Sequence, residues 1–314
     1  MTWDPTRLPD QSGHTFVVTG ATAGIGYFAA EQLAATGAHV VLAGRSASKL
    51  ETARASIREQ VPDASTSAVI VDLASLSSVS RAAGALADLP RIDGLLLNGG
   101  AMALRRGATT ADGLPELLGT HVVANFALLA EVLPTLVASG RTGGPSRVVH
   151  TSTGFVNRFP VSIEDVSAPE RNGVREYTKA KAITEVLAFE LDRRLRAGKA
   201  PVASLVARPG VGVDARTPAR PGIRDENTPY RRNPFTPFAQ GKDTAAWSAV
   251  RALTDPTAAG GDYYGPTGSM RGLPIQVTPT AATRSPRPDL AADIWSQVEA
   301  LARITMPVPT GATR

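Results

Sequence analysis

The chain has no cysteine among its 314 residues, which excludes disulfides, thiolate nucleophiles and cysteine-built metal sites. Histidine is nearly as scarce: His14, His39, His121 and His150 are the only four, at intervals that form no metal-ligand pattern. A strong excess of one charge is also lacking. Lys and Arg total 33 against 28 Asp and Glu, a formal net charge of +5. The surplus is dispersed; Arg231 and Arg232 stand beside proline and aromatic residues, not in a basic stripe. No nucleic acid partner is therefore expected, although a basic balance suits an anionic ligand. The opening MTWDPTRLPDQSG is polar and rich in turn formers, unlike a signal segment. Apolar runs such as 16–18 and 40–43 fall far short of the roughly 20 residues that cross a bilayer. These absences predict a cytoplasmic protein without a membrane span. Abundant Ala and Arg, with 29 Gly and 24 Pro, suggest a GC-rich bacterial genome.

What is present is a repeating pattern. Hydrophobic residues make up 43% of the chain, enough for one large core. Strand-like runs at 14–19, 40–43, 66–71 and 95–97 alternate with helix-like segments at 27–35, 47–60 and 75–89. The alternation continues with helices over 114–139 and 177–196 and strands at 147–151 and 202–207. Short apolar strands between helices predict a parallel sheet covered on both faces, a doubly wound α/β fold. Residues 212–240 are rich in Pro, Arg and Asn and lack periodicity. Such a stretch is expected to be a substrate-covering excursion carrying Tyr230, Phe235 and Phe238. Residues 245–253 and 290–304 read as helices, 260–272 as a glycine- and tyrosine-rich turn region. The expected organisation is a single domain over 1–305 with a flexible tail at 306–314.

The sharpest local feature lies between the first strand and first helix: Thr19, Gly20, Ala21, Thr22, Ala23, Gly24, Ile25, Gly26. Glycines at 20, 24 and 26 permit a tight turn and close approach of the backbone to a pyrophosphate, which the helix-opening amides then face. The end of the second strand selects the dinucleotide. A carboxylate there would accept from a ribose 2′-hydroxyl, but the sequence reads Leu42, Ala43, Gly44, Arg45, with Lys49 four residues on. A guanidinium in place of a carboxylate favours a 2′-phosphate, hence NADP(H). Asp72 and Leu73 close the third strand, placed for the adenine edge. Asn98, Gly99 and Gly100 follow the fourth, where small residues admit the ribose.

Tyr177 and Lys181 lie one helical turn apart on a common face. A phenol near its ordinary pKa of about 10 is a poor acid–base at neutrality, and a neighbouring ammonium is expected to bring it toward the working range. Ser152 and Thr153 end a strand and offer a hydroxyl to a substrate carbonyl. Taken with Arg208, Pro209 and Gly210, the whole resembles the short-chain dehydrogenase/reductase family over about 14–210, and more loosely to about 304. The run 71–76 and the later 261–266 resemble its retinol dehydrogenase and protochlorophyllide reductase branch, especially bacterial members. The resemblance implies a Rossmann-type, predominantly seven-stranded parallel sheet with an active-site Tyr, Lys, Ser and Asn, and cofactor contacts extending to Pro209 and Gly210. Two positions depart from it: Thr153 occupies the serine position, with Ser152 beside it, and His121 occupies the asparagine position of the proton relay. An imidazole there is expected to relay protons and to titrate near neutrality. The expected activity is NADPH-dependent reduction of a carbonyl, or the reverse oxidation, on a bulky, partly apolar small molecule such as a biosynthetic intermediate. A weakened nucleotide-binding or sensing protein, C=C reduction, epimerisation and cyclisation remain open, as does assembly into a homo-oligomer.

Overall fold

The computed structural model describes residues 3–101, 107–225 and 235–309. Tyr230, Arg231, Arg232 and the tail from 310 lie outside the described residues. In chain order the elements are β1 (Thr15–Thr19), α1 (Gly24–Ala34), β2 (His39–Gly44), α2 (Ala47–Gln60), β3 (Ser65–Ile70), α3 (Leu76–Ala87) and β4 (Gly94–Leu97). There follow α4 (Glu116–Leu118), a π turn (Gly119–Val123), α5 (Ala124–Gly143), β5 (Ser146–Thr151), α6 (Gly173–Ala197) and β6 (Val202–Ala207). The chain closes with α7 (Lys242–Thr254), β7 (Tyr263–Pro266), β8 (Pro274–Gln276), α8 (Ala281–Arg284) and α9 (Pro288–Ala302).

The strands form one eight-stranded sheet in the order β3-β2-β1-β4-β5-β6-β7-β8. Seven are parallel and β8 alone runs antiparallel, pairing Gly265 with Ile275. This is the Rossmann-type arrangement expected, with an edge strand added. The turn region at 260–272 contains β7, whose Tyr263 and Tyr264 are buried against both faces of the sheet. Alternate residues of β1 feed two cores. Val17 joins one with α3, α5, α6 and α9, while Phe16 and Val18 join the other with α1 and α7. Burial on both faces is why these strands read as continuous apolar runs instead of alternating ones.

The predicted helix over 114–139 is interrupted by the π turn, and the whole segment Glu116–Gly143 is long and apolar enough to cross a membrane by length and composition. The absence of such a segment was the expectation; here its window is 78% buried inside the fold, as a core helix is. The excursion at 212–240 is closed at its base by a bridge between Gly212 and Gln240. It contains short 3-10 turns at Asp214–Arg216 and Thr236–Phe238. Arg220 pins its first half to α1 through two bonds to Glu31, of 2.6 and 2.8 Å. Residues 306–309, expected to be flexible, begin with a buried Met306 whose N–H donates to Glu299 at 2.9 Å.

Candidate active site

The order of the sheet reverses between β1 and β4, and ligands of such sheets bind beyond the carboxyl ends of the strands at that point. Gly20 leaves β1 at φ +68°. A Cβ on Gly26 would stand 2.4 Å from the Gly20 carbonyl oxygen, so the first turn of α1 closes on the end of β1 only without a side chain there. Ala23 caps α1 without a side-chain hydrogen bond, which leaves the first amides of the helix directed at the cleft. Thr22, Gly24 and Ile25 complete the turn, partly exposed. This cradle fits a pyrophosphate.

Arg45 follows β2 directly and is exposed, as is Lys49 in the first turn of α2. No carboxylate stands beside Arg45 at the strand end. Asp72 is half-buried after β3, where its carboxylate accepts from the Ala74 N–H at 3.0 Å, and Leu73 reaches toward Gly99. The side chain of Asn98 is used within the protein, donating to the Thr19 carbonyl at 3.2 Å and thereby tying β4 to β1. Gly99 donates to the Thr19 hydroxyl at 2.9 Å. Pro209 and Gly210, after β6, are held by Gln240, which donates to the Pro209 carbonyl at 2.8 Å.

Tyr177 lies in the second turn of α6, because Asn172 caps that helix by accepting from the Arg175 N–H at 3.0 Å. Burial pushes its phenol up to about 12, and the influence of the Thr153 hydroxyl pulls the other way. The expected downward shift from the ammonium is overruled: Lys181 Nζ is 6.0 Å from the ring centroid and desolvation dominates. Lys181 is itself buried, donates to the Thr151 carbonyl at 2.6 Å, and is pushed down to about 7. Ser152 does not share the position of Thr153. Its hydroxyl turns to the other side of the strand end and donates to Glu185 at 2.5 Å. That bond occupies the Ser152 hydroxyl's one proton.

His121 sits in the π turn, with its ring packed beside Gly100, where a Cβ would come within 2.0 Å of it, and edge-on to Tyr177 at 5.3 Å. Nε2 lies 2.8 Å from the Ala101 carbonyl. A carbonyl only accepts, so Nε2 carries the proton and Nδ1 is left as a buried acceptor without a partner among the described residues. Burial and the Lys181 charge push the imidazole down to about 3, which corrects the expected titration near neutrality. Asn125 donates to the Thr120 and His121 carbonyls at 3.0 and 3.2 Å, satisfying groups that the π turn frees from the helix ladder. His121, Asn125, His150, Lys181 and Trp295 line a cavity of about 20 Å³, the space of a single water. Phe155, half-exposed, stands edge-on to Tyr177 at 6.4 Å and to Phe159 at 5.4 Å.

The family pattern described as short chain dehydrogenase matches residues 14–158. A Streptomyces sp. protein provisionally named daunorubicin C-13 ketoreductase DnrU is 32% identical over 90% of both chains. Mouse polyprenol dehydrogenase is 35% identical over 66% of this chain and 62% of its own length. A solved structure of an uncharacterized protein from Mycobacterium paratuberculosis superposes with TM-score 0.77 at 27% identity, covering 98% of this chain and all of the other. The chain belongs to the short-chain dehydrogenase/reductase family.

Glu185 and Phe155 are not among the residues that the sequence marks, and Arg208 is marked only as part of the run 208–210. Glu185 carried a signal, a carboxylate four residues beyond Lys181 on the stripe that Tyr177 begins. Phe155 is not distinguishable in the sequence from an ordinary loop residue.

Proposed function

We propose that this protein is an NADPH-dependent carbonyl reductase, working in reverse as an alcohol dehydrogenase. The observation that carries the reading is the convergence of Tyr177, Thr153 and Lys181 beside the glycine cradle at the carboxyl end of one sheet. When bound, NADPH would supply the hydride. The Thr153 hydroxyl holds the carbonyl oxygen, and Tyr177, protonated at neutral pH, donates its proton to that oxygen as negative charge develops. Lys181 is placed to return a proton to Tyr177 and to bind the ribose. His121, neutral and with Nδ1 unpartnered among the described residues, accepts from the lysine side of the relay. Gly20, Thr22, Ala23, Gly24, Ile25 and Gly26 hold the pyrophosphate, Arg45 and Lys49 the 2′-phosphate, Asp72 and Leu73 the adenine, and Gly99 and Gly100 the ribose.

Phe155 beside Tyr177, with Phe159 edge-on to Phe155, supports a bulky, partly apolar substrate. The likeness to a protein named as a ketoreductase supports a biosynthetic ketone. We read the chain further as a bacterial, cytoplasmic enzyme of secondary metabolism in the retinol dehydrogenase-like branch. A panel of aryl and aliphatic carbonyls assayed with NADPH and with NADH tests the reading. Oxidation of NADPH coupled to alcohol formation is expected; tight NADPH binding without turnover on any member contradicts it.

A further inference from the structure

The carboxylate of Glu185 is fully buried, one helical turn beyond Lys181. Hydroxyls from three separate elements donate to it: Ser152 after β5 at 2.5 Å, Tyr263 of β7 at 2.8 Å and Thr283 of α8 at 2.7 Å. Such a set of donors satisfies an ionised carboxylate, which only accepts. Arg208, at the end of β6, adds a positive charge on the same side. Burial raises the Glu185 pKa, and the three hydroxyls and Arg208 oppose that shift. A buried charge is expensive unless paired and hydrogen-bonded in this way. The arrangement costs four polar side chains and stands directly behind the strand end that bears Thr153.

We propose that Glu185 is a positioning residue of the reductase site, which turns Ser152 away so that Thr153 alone faces Tyr177 and supplies the buried negative charge facing Lys181. The inference rests on the carbonyl reductase reading for its catalytic consequence. The other groups facing Lys181 among the described residues are uncharged, including the Tyr177 phenol, 6.0 Å from Nζ at its ring centroid and held protonated by burial. His121 and His150 are both held uncharged by burial, each down to about 3, and the Thr151 carbonyl is a dipole. Glu185 is the anionic group that acts on Lys181 in favour of its protonated form. Removing the charge therefore makes Lys181 lose its proton at lower pH.

Two readouts test this. The first is the 13Cε resonance of Lys181, assigned through Lys181→Arg and followed against pH in the protein without nucleotide. Glu185→Gln, which keeps the shape and an acceptor oxygen, is expected to lower the midpoint by about one pH unit, the scale of one nearby charge. Glu185→Asp is expected to restore it. The second is the pH dependence of kcat for carbonyl reduction, whose alkaline limb is expected to move down with the resonance. Should Glu185→Gln fail to fold, Thr283→Val removes one donor isosterically, weakens the hold on the ionised carboxylate and is expected to shift the midpoint the same way by less. An unmoved midpoint in Glu185→Gln, or in Thr283→Val if that is the variant that folds, overturns the proposal. So does a kcat lowered equally at every pH. A shifted resonance without turnover of any carbonyl upholds the pairing and instead contradicts the reductase reading.

Discussion

Burial acts on Tyr177 and Lys181 in opposite directions, keeping the phenol protonated and bringing the ammonium to about 7. In reduction the proton leaves Tyr177 and is replaced from the lysine side, so the protonated Lys181 is the competent form. The kcat for reduction is expected to fall as pH rises through about 7, and that for alcohol oxidation to rise through the same range. His121, held at about 3, contributes no limb between pH 5 and 9. A pH–kcat series in His121→Asn is expected to keep both limbs of the wild type, with turnover largely retained; loss of an ionisation there would show that the imidazole titrates in the relay. Arg45 is argued on the same scale. A charge-assisted bond contributes about 1.5–3 kcal/mol, so Arg45→Asp is expected to weaken NADPH by about tenfold to a hundredfold with little effect on NADH. Isothermal titration with both nucleotides checks it, and equal losses would contradict the phosphate assignment.

At the level of elements, the β1–α1 turn joins fold and site through the absence of side chains. The Gly26 Cα approaches the Gly20 carbonyl so closely that Gly26→Ala must displace backbone. Overpacking of this kind costs about 1–3 kcal/mol. The variant is expected to lose thermal stability and nucleotide affinity together; unchanged affinity would mean that the turn does not shape the cradle. This turn was legible in the sequence because glycine spacing and the strand–helix setting are both local. Strands β1, β2 and β4 were legible for the same reason, since double burial writes itself as unbroken apolar runs, whereas the parallel β7 lies within a run that reads as a turn. The π turn was not, because it differs from an α-helix by one residue per turn and is held by Asn125 reaching carbonyls freed in that same segment. Nor was β8, three residues with Ile275 and Gln276 exposed. The bond from Ser152 to Glu185 was not legible either, because chain separation hides it: the other hydroxyl partners of Glu185 lie 78 and 98 residues on.

Across the whole molecule, the two cores clamp the sheet whose carboxyl edge presents the site. Trp295 of α9 is 2% exposed, packs edge-on against Phe126 of α5 at 5.2 Å, lies under Arg194 of α6 and lines the cavity that reaches Lys181. Trp295→Ala is expected to cost about 3–5 kcal/mol in denaturant unfolding, and loss of less than a third of that would show that α9 is peripheral. The claim on which the rest depends is that Tyr177 gives its proton to a carbonyl receiving hydride from NADPH. It is tested most directly by following deuterium from NADPH labelled at the nicotinamide C4 into the product alcohol, in the wild type and in Tyr177→Phe. The wild type is expected to place deuterium on the carbinol carbon. Tyr177→Phe is expected to bind NADPH equally well and transfer at least about a hundredfold more slowly, the lower range for loss of a general acid. Transfer by Tyr177→Phe at near the wild-type rate would contradict the account.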